Sequence, residues 1–495
     1  MVSSEDIAAR LSALVDEHFE WLFIHDSGKT FPVQKSEIEI LCEEKKIFFG
    51  FPGEKGFRAW RIEEFSVAGE EIRLDLAADF GRAKETINLI PRASARELSL
   101  NIERSRLVKA NEIAAIIIEY NVHTRLVRVA LNKGNGRLAQ IFIEDLAGVQ
   151  TAVLSDVSEI STPETLLTTA ILWLEKLLQR RKKPIDELWI VSEKKYVRNL
   201  QKLHGLLNQK AKARIKIIEI SSNAVTPKIR ELTSLKVSDL WRGKAKKLIL
   251  PAEVEKSETA QAIIALSPDK IDVIFSKQGE TLRFLGLPFA RVRRMLGRER
   301  AWFGIDHKRR PLTDKSWSEL LQLLEQLDTY RRPDTAGKRH DLYRLSPESW
   351  LEAILRRNIK LLDANLILSP IYNQFRTSAD KIDLLALRKD GRLVIIELKT
   401  SPDREMLFQA ADYWRKIELQ RRRGELKKAK AFGDLEILDK PALVYTVAPA
   451  LSFHRDFEYF ARMLSKEIEL WRFELHENWR VDLKVIARKN YSGFY

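Results

Sequence analysis

Two apolar runs around an Asp-Gly turn, within residues 381–399, constrain the fold of this chain more than any other stretch. Residues 383–388 and 393–399 flank Asp390-Gly391, a dipeptide typical of tight hairpin turns because glycine readily adopts the positive φ that they need. Apolar runs of this kind indicate strands that are buried on both faces. The sequence therefore predicts a β-hairpin inside a sheet.

The two predicted strands carry ionisable residues at one end. Asp383 opens the first strand, and Glu397 and Lys399 close the second. Alternate residues of a strand point to the same face, so Glu397 and Lys399 share a face, and the hairpin folds Asp383 back towards them. Charged groups seldom lie in buried strands unless they are paired or bind a metal. We therefore predict that two carboxylates and an ammonium group converge at one end of a small sheet.

The context of these residues carries more information than the Glu-X-Lys tripeptide itself. The tripeptide recurs in the chain, for example at Glu193-Lys194-Lys195, where no hairpin fits between it and the preceding aspartate. At 397–399 an aspartate-led hairpin precedes the tripeptide, so we place the candidate site there.

This pattern resembles the core signature of the PD-(D/E)XK nuclease superfamily, and its NucS-type and RecB-like branches most of all. The resemblance covers residues 340–495, and Ile382 stands where the superfamily often has proline. It implies a restriction-endonuclease-like α/β core, a mixed central sheet flanked by helices. It also implies Mg²⁺ or Mn²⁺ bound by Asp383, Glu397 and the Leu398 carbonyl, with Lys399 as the group that orients or deprotonates water.

A helix with two carboxylates is predicted before the hairpin. Ser346-Pro347-Glu348 is typical of a helix start, and Glu348 and Glu352 share a face because they are four residues apart. The resemblance implies a third acidic group from this helix, which would favour a second metal ion. We favour Glu352 as a catalytic residue and metal ligand and keep Glu348 as its rival. Two solvated carboxylates at a helix start are the plain alternative.

A further helix is predicted at residues 405–422, after the hairpin. Its Gln409 and Tyr413 resemble the Gln-X-X-X-Tyr element of RecB-like nucleases. The resemblance implies that Gln409 belongs to the catalytic site and that Tyr413 contacts nucleic acid, where both would orient a phosphate or Lys399. Ordinary packing of Tyr413 beside Trp414 is the alternative.

Charge and composition favour a polyanionic partner. The chain has 85 basic and 70 acidic residues, a net charge of +15 and a pI near 9.5. Nucleic acid is the commonest partner of such a chain, and we favour DNA over RNA. The single cysteine, Cys42, excludes an internal disulfide, and neither a leader nor a membrane segment is recognisable. We expect a cytoplasmic protein that binds no membrane and could form a homodimer.

The segment 283–310 combines basic and aromatic residues. It has nine basic residues against two acidic ones, with Phe284, Phe289, Trp302 and Phe303 interleaved. Arginine binds phosphate oxygens bidentately, and aromatic rings can stack on unpaired bases. We predict that this segment binds nucleic acid through Arg293, Arg294 and Arg298. The alternative is a solvated basic face with the aromatic side chains in the core.

We predict an α/β multidomain chain with four regions. A β-rich domain (1–155, including strands at 98–104 and 113–121) precedes an α/β region (156–235). A mixed α/β region (236–335) with the basic-aromatic segment follows, and a polar linker (331–340) leads to the nuclease-like domain (340–495). The predicted function is a metal-dependent nuclease, an endonuclease acting on DNA in repair or defence. The alternative is a non-catalytic nucleic-acid-binding or scaffold protein with an inactive nuclease fold.

Overall fold

The computed structural model describes residues 3–25, 30–44, 46–53, 56–78, 83–92, 95–179, 185, 187–221, 228–243, 248, 250, 255–276, 279–295, 298–305, 309–369 and 383–491. In these residues the chain forms four β-sheets with helices around them. It divides into two compact units, Met1–Arg198 with Arg214–Leu232, and Asn199–Ala213 with Thr233–Tyr495. The architecture is therefore α/β and multidomain, and the finer division into four regions stays a prediction.

The first sheet is antiparallel and belongs to the first unit. Its strands are β1 (Glu20–His25), β2 (Thr30–Gln34), β3 (Glu39–Glu43), β4 (Lys46–Gly53), β5 (Gly56–Ala68), β6 (Glu71–Ala78) and β7 (Ala83–Pro91). They lie in the order β2-β1-β7-β6-β5-β4-β3. Helix α1 (Ser4–Asp16) is capped by Ser3, whose hydroxyl accepts the Asp6 N–H. The helix buries Leu11 and Val15 in the core of the sheet. The sequence pattern predicts a helix at 5–18 and strands at 38–42, 46–51, 57–66, 71–76 and 86–90, and the structure confirms them.

The second sheet is mixed, with its strands in the order β13-β12-β11-β10-β9-β8. These are β8 (Thr124–Leu131), β9 (Leu138–Asp145), β10 (Gln150–Asp156), β11 (Leu188–Glu193), β12 (Ile215–Ser221) and β13 (Lys228–Leu232). The helices of this part of the chain are α2 (Ala95–Tyr120), α3 (Pro163–Leu178), α4 (Lys194–His204) and α5 (Gln209–Arg214). The sheet contains strands from both sides of residue 155, where the first predicted boundary falls.

The strands predicted at 98–104 and 113–121 are wrong, because both runs lie in helix α2. Ala110, Ala114 and Ile117 are buried at helical spacing against the second sheet. The β-branched run 116–118 favours a strand locally, but burial of one helical face outweighs that preference.

The third sheet is antiparallel, and its strands follow one another in chain order. They are β14 (Ile271–Ser276), β15 (Gly279–Phe284), β16 (Leu287–Met295), β17 (Arg298–Phe303) and β18 (Arg310–Pro311). Around this sheet lie α6 (Glu258–Ala265), α7 (Trp317–Tyr330) and α8 (Asp341–Arg344). The sequence pattern predicts helices near 256–266 and at 316–330 and strands near 247–250 and 270–276. Both helices and the second strand are confirmed, whereas residues 247 and 249 of the first strand fall outside the described residues.

The fourth sheet is mixed and carries the predicted hairpin. Its strands, in spatial as in chain order, are β19 (Leu366–Leu368), β20 (Leu384–Arg388), β21 (Leu393–Leu398), β22 (Leu443–Pro449), β23 (Glu469–Leu475) and β24 (Val485–Asn490). The central strands β21, β22 and β23 are parallel and the outer pairs are antiparallel. The helices of this region are α9 (Pro347–Arg357), α10 (Met406–Arg422), α11 (Glu425–Lys428) and α12 (Phe457–Met463).

Some predicted bounds in this region differ from the structure. The sequence pattern predicts a strand at 366–374, of which the structure describes β19, and residues 370–374 fall outside the described residues. It also predicts a strand at 479–487, which is wrong before residue 485, where β24 begins. Short 3₁₀ helices lie at Lys35–Glu37, Val237–Arg242, Asp314–Ser316, Ile359–Leu361 and Ala450–Ser452. Among the described helices, none has the length and apolarity that crossing a membrane requires.

Arg331, the first residue of the predicted linker, is fully buried. Its guanidinium group lies 4.7 Å from the Trp350 ring centroid. It donates hydrogen bonds to five backbone carbonyls, those of Phe284, Leu285, Leu342, Leu345 and Ser346. Burial and nearby Arg480 lower the pKa of Arg331 to about 9, so it remains a cation at neutral pH. A polar linker is therefore the wrong description of this residue, which ties the third sheet to the start of α9.

We expect Arg331→Met to destabilise the protein by about 3 kcal/mol or more, because buried carbonyls would lose their donors. The neighbouring Arg332 is the matched control, since it pairs with Asp334 at the surface. Arg332→Met should leave the free energy of unfolding near the wild-type value. Denaturant unfolding measures both, and equal effects would contradict the structural role of Arg331.

Candidate active site

The hairpin β20–β21 is present with the predicted turn. Leu384 pairs with Ile396 and Leu387 with Leu393, and every residue from Leu393 to Leu398 is buried. Gly391 has a φ of 84°, as the turn requires. Continuing the register by one residue places Asp383 opposite Glu397, on the same face of the sheet.

Asp383, Glu397 and Lys399 converge at the end of this hairpin. The Leu398 N–H donates to Asp383 Oδ2 at 2.9 Å, and Lys399 Nζ donates to Glu397 Oε1 at 2.9 Å. Lys399 Nζ also lies 3.5 Å from Asp403, a carboxylate that the sequence analysis did not single out. Glu397 Oε2 is buried and has no hydrogen-bond partner among the described residues. The site therefore holds one carboxylate oxygen that a cation or a donor could still occupy.

The pKa values of the three groups reflect burial and close contact. Burial and the adjacent Asp383 carboxylate raise the pKa of Glu397 well above its ordinary value. Burial also raises the pKa of Asp383 to about 6, although the Leu398 N–H opposes this shift. Burial alone would lower the pKa of Lys399, but the Glu397 carboxylate outweighs it, and the net shift is upward. In this arrangement Lys399 is an ammonium group, and the condition for a general base, a depressed pKa, is not met.

Helix α9 brings both of its candidate carboxylates towards the site, but in different environments. Glu352 is only 4% exposed and pairs with Arg283 and Arg356. Glu348 is half-buried. Its charge raises the pKa of Asp383, Glu397 and Lys399 alike, whereas Glu352 acts on Asp383. The plain alternative, two solvated carboxylates, is therefore wrong for Glu352.

The partners of Glu352 in the third sheet were not predicted from the sequence. Asp272 and Arg283 lie directly opposite each other on β14 and β15, and the two side chains pair at 2.6 Å. An aspartate and an arginine within two apolar runs of one hairpin are the signal that could have revealed this pair. Its contact with Glu352 spans 69 residues and leaves no local pattern.

Gln409 and Tyr413 lie on α10, which packs against β21 and β22. Both side chains are half-buried. Lys416 Nζ lies 5.5 Å from the Tyr413 ring centroid. Their proposed contacts with Lys399 or a phosphate stay a prediction.

The basic-aromatic segment forms strands of the third sheet, and its residues divide into two sets. Phe284, Phe289 and Phe303 are buried in the core, so stacking of these rings on bases is excluded. Arg293 is half-buried, Arg294 is exposed opposite Glu299, and the Arg298 side chain falls outside the described residues. Nucleic-acid binding by these three arginines stays a prediction.

Side-chain geometry sets a limit on metal binding. Among the described residues, no group of three or more His, Cys, Asp or Glu side chains is arranged to hold a metal ion. The available set is Asp383 and Glu397 with a backbone carbonyl, and Mg²⁺ commonly binds through one or two carboxylates with water and substrate phosphate completing its shell. The residues present therefore fit one such ion.

Comparison with known proteins gives distant structural matches. No protein family and no curated protein matches the chain. Solved structures with detectable similarity include EndoMS in apo form (10% identity, TM-score 0.14, 38% of this chain and 85% of that chain). Another is an EndoMS–dsDNA2 complex (12%, 0.16, 38% and 84%). A repair endonuclease from Pyrococcus abyssi is also similar (10%, 0.13, 38% and 86%). Similarity at these scores does not establish a shared fold.

We expect Asp383→Asn to stabilise the metal-free protein at pH 8, because asparagine can still accept the Leu398 N–H but carries no buried charge. The cost of ionising Asp383 appears as pH rises from its usual pKa of 3.8 and is complete above about 6. The variant should therefore raise the thermal midpoint by about 2 °C or more at pH 8 and by nothing near pH 4.

The matched control is Asp390→Asn in the turn of the same hairpin. Arg388 lowers the pKa of Asp390, so its charge stabilises the folded state at pH 8 and this variant should lower the midpoint. Thermal unfolding in EDTA at both pH values measures the two shifts, and shifts of the same sign would contradict the assignment.

Proposed function

We propose that this protein is a metal-dependent nuclease whose fourth sheet is a restriction-endonuclease-like core. The observation that carries the proposal is the convergence of Asp383, Glu397 and Lys399, with Glu397 Oε2 buried and unpaired among the described residues. A cluster of this kind costs stability unless something else compensates it. A cation at the end of the hairpin would supply that compensation.

The residues that would hold the ion are Asp383, Glu397 and the Leu398 carbonyl. These are hard oxygen ligands, which suit Mg²⁺ or Mn²⁺. When bound, the ion would lower the pKa of a water molecule and polarise the scissile phosphate. The protein supplies a buried pair of carboxylates whose geometry the hairpin register fixes.

Lys399 would act as a cation rather than as a base. Its ammonium group is held by Glu397 and Asp403 and carries a raised pKa. From that position it would orient the attacking water or neutralise charge that develops on the phosphate. Gln409 and Tyr413, on the helix that packs behind β21, would position the phosphate of the strand to be cut.

DNA is the proposed substrate, and repair and defence are both compatible roles. The excess of 85 basic over 70 acidic residues favours a polyanion, and the exposed Arg294 on the third sheet would contact the DNA backbone. A non-catalytic DNA-binding protein would share these features, so cleavage distinguishes the two functions.

Purified full-length protein with Mg²⁺ or Mn²⁺ should cut plasmid or branched DNA. Asp383→Asn, Glu397→Gln and Lys399→Met should each lower the cleavage rate by about 100-fold or more, because each removes a metal ligand or the cation at the phosphate. Glu193→Gln and Lys195→Met change the same tripeptide on β11 and α4 and should retain wild-type rates. If the wild-type protein with either metal cuts nothing, the nuclease proposal fails.

Charge reversal of Arg293 and Arg294 should weaken DNA binding and reduce the slope of log K against log salt by about 1 to 2. Binding releases counterions from each phosphate that the protein contacts, so fewer are released when two contacts are lost. The matched control reverses Arg73 and Lys84, which lie on the first sheet and are more than half exposed. Binding titrations at several salt concentrations measure the slope. An unchanged slope in the first variant would remove β16 from the interface.

A further inference from the structure

Arg283 is a buried cation outside the proposed catalytic set. It is 2% exposed and lies on β15. The cross-strand position of Asp272 gives it a bidentate partner, at 2.9 Å from Nε and 2.6 Å from Nη2. Arg283 is therefore neutralised within its own sheet before any other contact is counted.

Its remaining nitrogen reaches into the nuclease-like region. Arg283 Nη1 lies 3.3 Å from both carboxylate oxygens of Glu352 on α9. Arg356 approaches the same carboxylate at 3.5 Å from one turn further along the helix. Two cations therefore face Glu352, whose charge raises the pKa of Asp383.

We propose that Arg283 is a positioning residue that withholds Glu352 from the metal, so that the site binds a single divalent cation. This inference rests on the proposed nuclease function. Glu348, which is half-buried and lies one turn before Glu352 on the same face of α9, is then the carboxylate of this helix that would face the metal. The sequence analysis favoured Glu352 for that role.

The arrangement predicts what happens when Arg283 is removed. The charge-balanced variant Asp272→Asn with Arg283→Gln replaces a neutral pair by a neutral pair, so the net charge near the site is unchanged. Glu352 then loses the Arg283 guanidinium group and can turn to a metal ion. Any change in metal binding would come from the release of Glu352 rather than from altered long-range charge.

The test measures Mn²⁺ binding to the full-length protein by titration calorimetry and electron paramagnetic resonance. The wild type should bind one Mn²⁺ at the site. The charge-balanced variant should bind a second Mn²⁺ there or bind the first about tenfold more tightly, the scale on which groups around a metal ligand affect affinity. Adding Glu352→Gln to that variant should abolish the gain.

Arg283→Lys provides a rescue, because it keeps the cation between the two carboxylates and should keep one-ion binding. Single variants give a second measurement if the charge-balanced variant does not fold, as judged by circular dichroism. Glu348→Gln should then weaken Mn²⁺ binding more than Glu352→Gln does.

The inference and the nuclease proposal fail differently. If the wild type binds no Mn²⁺, both are overturned. If it binds one ion, and Asp383→Asn abolishes that binding, the metal site stands. In that case, any of three results overturns the role of Arg283 alone. The first is unchanged Mn²⁺ binding in the charge-balanced variant, and the second is a gain in binding that survives Glu352→Gln. The third is a larger loss of binding from Glu352→Gln than from Glu348→Gln.

Discussion

The placement of the candidate site depends on one buried cation, Arg331. Its guanidinium group donates hydrogen bonds to backbone carbonyls at the end of β15, in α8 and just before α9. It also lies against the Trp350 ring in the first part of α9. The acceptors of these hydrogen bonds are neutral backbone carbonyls rather than a carboxylate. The hydrogen bonds of Arg331 therefore depend little on a second charged side chain. The start of α9 is fixed in this way, and with it the direction in which Glu348 and Glu352 point.

Close backbone packing reinforces that connection. Gly286, in the turn between β15 and β16, has a φ of 81°, and a Cβ atom there would lie 1.9 Å from the Ser349 carbonyl oxygen. Leu285, beside it, packs against the hydrophobic cores of both the third and the fourth sheets. Leu285 therefore bridges the two hydrophobic cores, and the buried ion pair between Arg283 and Glu352 also joins β15 to α9.

The hairpin and its three charged residues could be predicted from the sequence because their information is local. Turn residues, strand alternation and spacing within 381–399 determine which side chains meet. The partners of Glu352 and the burial of Arg331 could not be predicted from the sequence, because they depend on contacts between residues far apart in the chain. The misassigned strands in α2 show a third case, in which β-branched residues are outweighed by one buried helical face. Polar residues are therefore not always exposed. Arg331 and Arg283 are buried because carbonyls or carboxylates from distant parts of the chain accept their hydrogen bonds.

The contacts between the third and fourth sheets limit how the chain can be cut into shorter pieces. A cut near residue 340, where the composition suggests a boundary, would separate Arg331 from Leu342, Leu345 and Ser346, and Arg283 from Glu352. A piece that keeps these contacts and the Asp272 partner of Arg283 must include both β14 and β15. The small antiparallel sheet and the sheet that bears the carboxylates therefore have to be produced as one piece for these contacts to form.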